Sequence, residues 1–163
     1  MAKYRLLTRE ELEGLEKEFV EYLVVNGITA DDWERMKANE KAQAERILDL
    51  FSDVVWEGIL RKVQYLEYRA AQQLHAFQCL PDKLVLVAME AGPDSGADFN
   101  DADFIATAAQ QPPQGLRLYT TDKPYQDTRE AELFALIQSG CTISDGQLYK
   151  TLCLALAAGT PNA

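Results

Sequence analysis

Apolar positions along the first sixty residues recur at helical spacing, and start and stop signals bracket them. Thr8 followed by Glu11 forms a capping box, in which a hydroxyl accepts from an early backbone amide and a carboxylate reaches back. Leu12, Leu15, Phe19, Tyr22 and Leu23 then trace one helix face. Asn26-Gly27 supplies the left-handed backbone that ends a helix, so the spacing predicts a first helix to about Val25. Thr29, with Asp31 and Asp32 behind it, repeats the start signal for a short helix carrying Trp33 and Met36 inward. Beyond Asn39 the stripe Ala44, Ile47, Leu48, Phe51, Val54, Val55 and Ile59 keeps its phase to about Lys62, predicting one long helix or a slightly kinked pair.

The pattern then changes to period two. Val63 to Arg69 alternates and is rich in β-branched and aromatic residues. Leu74 to Leu80 and Lys83 to Glu90 flank Pro81-Asp82, where proline presets a turn, so a hairpin is expected and with it a three-strand antiparallel meander. Gly92 to Asn100 has a loop composition, after which Asp98 or Asn100 is positioned to cap a short helix carrying Phe104 and Ile105. Leu116, Leu118 and Thr120 alternate as a fourth strand closed by a turn over Asp122 to Tyr125.

Two helices finish the chain. Asp127 with Glu130 opens one that Gly140 stops, and Ser144 with Gln147 opens another that Gly159 and Pro161 end. Leu148 through Ala158 is apolar nearly all round, which predicts burial on several sides. The expected fold is α+β, a single domain over 1–163. It has N-terminal helices, a largely antiparallel sheet of about four strands, and a C-terminal helix pair packed on the sheet.

Composition narrows the function classes. The 163 residues include 26 acidic and 16 basic side chains, a net charge of -10 whose field repels polyanions. Nucleic acid and anionic membranes are therefore not expected partners, since phosphate binding needs clustered Lys and Arg. Met1 to Glu11 is charged and lacks a secretory apolar run, and Leu84 to Met89 and Leu152 to Ala158 are too short to span a bilayer. Cys79, Cys141 and Cys153 form an odd set without C-x-x-C spacing, which fits reduced thiols and a cytoplasmic address.

Candidate chemistry is sparse. His75 is the only histidine, and no local signature pairs it with Cys79 or Cys141 as a nucleophile. Cys141 sits between two helices, just ahead of the start at Ser144, where amide dipoles could lower a thiol's pKa; the plainer reading is a small buried residue in a tight turn. Asp94, Asp98, Asn100, Asp101 and Asp103 offer oxygen ligands for a hard cation, with Asp98, Asp101 and Asp103 the nearest to a metal set. Their spacing is not that of an EF-hand, and aspartates before a helix are expected as caps. Gln111-Pro112-Pro113-Gln114 could present a polyproline II segment or simply connect two elements. No Walker loop, G-x-G-x-x-G, G-x-S-x-G or H-E-x-x-H occurs, and no cofactor is implied.

The order of helix, three strands, helix and strand resembles the core of restriction-endonuclease-like nucleases. Glu67, Asp82 and Glu90 would be the acids of such a metal-dependent hydrolase, but Ala91-Gly92 follows Glu90 where that chemistry needs a Lys. Four further stretches carry a different resemblance: Leu7-Thr8-Arg9-Glu10-Glu11-Leu12, Asn26-Gly27-Ile28-Thr29-Ala30-Asp31-Asp32-Trp33, Phe51-Ser52-Asp53-Val54-Val55 and Gly140-Cys141-Thr142-Ile143-Ser144-Asp145-Gly146. They resemble an uncharacterised family of small bacterial proteins, with the likeness running from near Thr8 to Leu152-Cys153-Leu154-Ala155-Leu156. That resemblance implies a bacterial cytoplasmic setting and no reaction, substrate or site. With polar residues committed to caps and turns, the expectation leans away from an enzyme. It favours a domain that works by contact with another protein or as a homodimer, with the metal-dependent hydrolase as the alternative.

Overall fold

The computed structural model describes residues 1–111 and 115–159. Pro112, Pro113 and Gln114 of the polyproline reading, and Pro161 of the helix stop, lie outside the described residues. The chain gathers into two compact units, one ending at Arg61 and one beginning at Lys62.

The first unit is helical. The expected first helix is two: α1 (Arg9–Gly14) and α2 (Glu16–Val25). The chain bends at Leu15, with φ -115 and ψ 24, immediately after Gly14, whose backbone freedom weakens a helix interior. Thr8 accepts from the Glu11 amide as expected, while the Glu11 carboxylate is taken by the Arg5 guanidinium at 2.9 and 3.2 Å. Gly27, at φ +72, turns the chain out of α2, and the Ile28 amide donates back to Leu23 O at 2.9 Å. α3 (Ala30–Asn39) opens on a full capping box between Thr29 and Asp32, and α4 (Lys41–Lys62) is one helix. Phe19, Trp33 and Phe51 meet edge to face, with Phe19 5.1 Å from Trp33 and 5.0 Å from Phe51. Leu23, Ile47, Phe51, Trp56 and Leu60 complete this core.

Residues 1–7 lie against α4 and bend back at Lys3–Tyr4. One carboxylate, Asp53, accepts from two consecutive amides, Lys3 at 2.8 Å and Tyr4 at 3.0 Å. The Tyr4 hydroxyl donates to Glu57, the Arg5 guanidinium stacks 4.8 Å above the Trp56 ring, and the Leu7 amide donates to the buried Ser52 hydroxyl at 3.0 Å.

The second unit is built on an antiparallel sheet of five strands, one more than expected, in the order β4-β3-β2-β1-β5. The strands are β1 (Tyr65–Ala70), β2 (Gln73–Cys79), β3 (Lys83–Ala91), β4 (Leu116–Pro124) and β5 (Thr142–Ser144). β1 to β3 form the expected meander around Pro81-Asp82. β4 runs on through the anticipated turn to Pro124 because Asp122 and Lys123 stay paired with Val85 and Leu84. β5 was not anticipated. It is three residues long, and its partner β1 lies far away in sequence.

Three helices accompany the sheet: α5 (Ala102–Gln110), α6 (Arg129–Gln138) and α7 (Gln147–Gly159). Their caps differ from expectation by one to three residues: Asp101 opens α5 and Thr128 opens α6. Before α7, Ser144 accepts from Gly146 and Asp145 from Gln147. One sheet face, with Leu74, Ala76, Val87 and Met89, packs with Phe99, Ile105 of α5 and Leu152 of α7 into the core. α7 is buried on one side, at Leu152 and Ala155, and not on several, since Leu154 is 72% exposed.

Candidate functional site

The second sheet face carries polar chemistry in register. Tyr68, His75, Ala88 and Tyr119 form one row across four strands, and Gln73, Glu90 and Arg117 form the next. Glu90 folds between its neighbours: its Oε1 accepts from the Tyr119 hydroxyl at 2.7 Å and stands 3.7 Å from His75 Nε2. The hydrogen bond to Glu90 pushes the Tyr119 hydroxyl above its ordinary value, and the Arg117 guanidinium lies 4.5 Å over the Tyr119 ring. His75 Nε2 is buried without a hydrogen-bond partner among the described residues. Sequence reasoning singled out Glu90 and His75 separately; only the pairing of β2, β3 and β4 joins them with Tyr119.

The other acids named for a hydrolase stand elsewhere. Asp82 is in the hairpin turn at the far end of β3, roughly 25 Å from Glu90 at about 3.3 Å per strand residue. Glu67 pairs in register with Ala76 on the opposite, core-packed face and holds Arg69 at 3.1 Å. Of the loop aspartates, Asp98 accepts from the Asn100 amide at 3.0 Å, Asp101 caps α5 through the Asp103 amide at 2.9 Å, and Asp103 lies in that helix's first turn. The Asp98 and Asp101 carboxylates thus serve backbone donors. Among the described residues, no three His, Cys, Asp or Glu side chains gather as a metal-binding group.

Two of the three thiols, Cys79 and Cys141, are shielded. Cys141 is buried in the turn after α6, its amide donating to Leu136 O at 3.0 Å, and burial pushes its thiol up. This is opposite to the lowering that a nearby helix start would give. β5 intervenes between Cys141 and α7, and the Cys141 side chain is buried. Burial drives Cys79 further, to about 12. Cys153 packs against the core of the second unit.

An apolar cleft of about 470 Å³ lies in the first unit, between α2 and α3. Its floor is Phe19 and Leu23. One wall is the i, i+4, i+8 line Glu16, Val20 and Val24 on α2, and the other is Ala30, Trp33 and Lys37 on α3. Side chains four apart on a helix share a face, which is why this line is continuous. Val20 is 51% and Val24 68% exposed, and Val25, just beyond, is 85% exposed. A second hollow opens from Glu16 and Val20 onto Glu13, Lys17, Glu18 and Glu21. The walls are positioned by the Gly27 turn and the Thr29–Asp32 capping box, whose backbone hydrogen bond from Thr29 holds the Asp32 carboxyl below its ordinary range. The sequence signal for this cleft was available: Val20, Val24 and Val25 fall off the inward stripe of α2, where an amphipathic surface helix carries polar residues.

A family model described as a family of unknown function, DUF6495, matches residues 1–157, and the chain belongs to that family. No curated protein matches the chain significantly. No solved structure does so either.

Proposed function

We propose that this protein is a non-catalytic module that works by contact, docking a partner protein on its helical first unit. The observation that carries the reading is the cleft between α2 and α3, where Val20 and Val24 stand open beside Phe19 and Trp33. Covering an exposed valine side chain releases about 1.5–3 kcal/mol, so two such anchors around an aromatic floor supply a useful share of a binding energy. By contrast, the polar side chains of the second unit are largely occupied in caps, turns and the Glu90 cluster. We take the compartment to be the cytoplasm of a bacterium, which suits three free cysteines.

The reading is tested with a photo-crosslinking amino acid at position 24, and at exposed Lys123 as control, in the native cell. Crosslinked peptides are then sequenced. A defined segment of another protein recovered from position 24 and not from 123 supports it. Crosslinks from 123 alone, or from neither position, would overturn it.

A further inference from the structure

We infer that the occupant of the α2–α3 cleft is an amphipathic helix of a partner protein whose polar face is cationic, and that it is not a second copy of this chain. The inference rests on the docking role proposed above and adds the chemistry of the partner. The cleft is apolar on its floor and along α2, through Phe19, Leu23, Val20 and Val24. The hollow that adjoins it across Glu16 and Val20 is acidic: Glu13, Glu16, Glu18 and Glu21 line it against one base, Lys17, a difference of -3. Arg5 engages Glu11 and Arg9 engages Glu13. Glu10, Glu16, Glu18 and Glu21 make no ion pair among the described residues. On the α3 wall Glu34 is already neutralised by Lys37 at 2.8 Å, so Glu16 of α2 is the unmatched carboxylate lining the cleft among the described residues.

Shape and charge then act together. The valine line runs parallel to the α2 axis at one-turn intervals, which matches anchors at i, i+3, i+4 and i+7 of a helix laid alongside. Lys or Arg flanking those anchors would reach the unmatched glutamates within the Debye length of about 8 Å at physiological salt. A second copy would bring an equally acidic hollow against this one, and like charges across an interface oppose association.

The test uses the full chain and three synthetic helical peptides with one apolar stripe and lysine, glutamine or glutamate on the polar face. Binding is read from Trp33 fluorescence, with Trp56→Phe removing the other indole, and oligomeric state from sedimentation. The lysine peptide should bind at least tenfold more tightly than the glutamine peptide, the glutamate peptide least of all. Its affinity should fall severalfold from 50 to 500 mM salt. Val24→Asp, an exposed position, should cost tenfold or more for every peptide, and Glu16→Gln with Glu21→Gln should erode only the lysine preference. Equal binding of all three peptides would overturn the cationic partner while leaving docking intact. A concentration-dependent dimer abolished by Val24→Asp would overturn it in favour of self-association. Binding of no peptide, with position 24 still crosslinking in cells, would overturn the helical occupant.

Discussion

A Cβ built on Gly146 would stand 2.5 Å from Cε2 of Tyr65, so the Tyr65 ring lies directly on the backbone of the turn that leads into α7. Gly146 also has φ +91, a region that side chains disfavour. Two separate penalties therefore meet at one position, and the ring, braced 5.5 Å from Tyr149, has little room to retreat. Gly146→Ala should lower the unfolding free energy by at least about 2 kcal/mol. Gly96→Ala provides the comparison, because φ +72 is strained there but no atom lies within 4 Å of the added carbon. It should cost about 1 kcal/mol. Urea denaturation of both variants checks the order, and equal losses would mean that the ring contact carries no weight.

Ser52 makes a second sharp prediction. Its side chain is fully buried in α4 and its hydroxyl accepts from the Leu7 amide, the buried anchor of the N-terminal segment. Ser52→Ala leaves that amide facing apolar surface, at a cost of about 1–3 kcal/mol for an unsatisfied buried donor. Hydrogen exchange at Leu7 should accelerate more than at Leu12, whose amide bonds to Thr8 O. Unchanged stability would mean that water or another acceptor replaces the hydroxyl.

The elements were legible where one signal was local and strong. The helix start at Thr29, the Asn26-Gly27 turn and the Pro81-Asp82 hairpin each depend on residues within four positions, and each appears as read. What escaped was long-range. β5 exists because Leu66 and Ile143 pair across the sheet, and a three-residue segment has no period to detect. The same applies to Glu90, His75 and Tyr119, which belong to three strands and meet only through register. The single helix expected from Thr8 to Val25 divided at Leu15 because Gly14 weakens the hydrogen-bonded ladder without disturbing the apolar stripe that was being counted. α7 misled for the opposite reason: Leu148 to Ala158 is apolar nearly all round, yet among the described residues of α7 only Leu152 and Ala155 are buried.

Asp32 gives a pH dependence with a definite sign. Hydrogen bonds from the Thr29 backbone and side chain, with Arg35 nearby, hold its carboxyl below the ordinary 3.8. A carboxyl depressed in the folded state adds stability that is complete above the unfolded pKa and is lost as pH falls through the folded one. Stability should therefore decline as pH drops below about 4. Asp32→Asn should lower stability at pH 7 and flatten that part of the acid limb. Parallel pH profiles for wild type and variant between pH 2 and 6 would show that the capping box makes no contribution there.

The three thiols should separate by accessibility. Cys79 and Cys141 are buried, and burial holds the Cys79 thiol near 12, so at pH 8 only roughly one molecule in ten thousand carries its thiolate. The thiolate is the nucleophile, so alkylation at Cys79 waits on opening of the end of β2, where Arg129 donates to Cys79 O at 3.1 Å. Cys153, partly exposed on α7, has no such protection. Iodoacetamide at pH 8 followed by peptide mass spectrometry should mark Cys153 first, with Cys79 and Cys141 labelled only at the rate of local or global unfolding. Destabilising substitutions such as Gly146→Ala should speed labelling through global unfolding about tenfold for every ~1.4 kcal/mol of stability lost. Rapid labelling of Cys141 in the stable protein would show that its sulfur reaches solvent after all and would restore it as a reactive thiol.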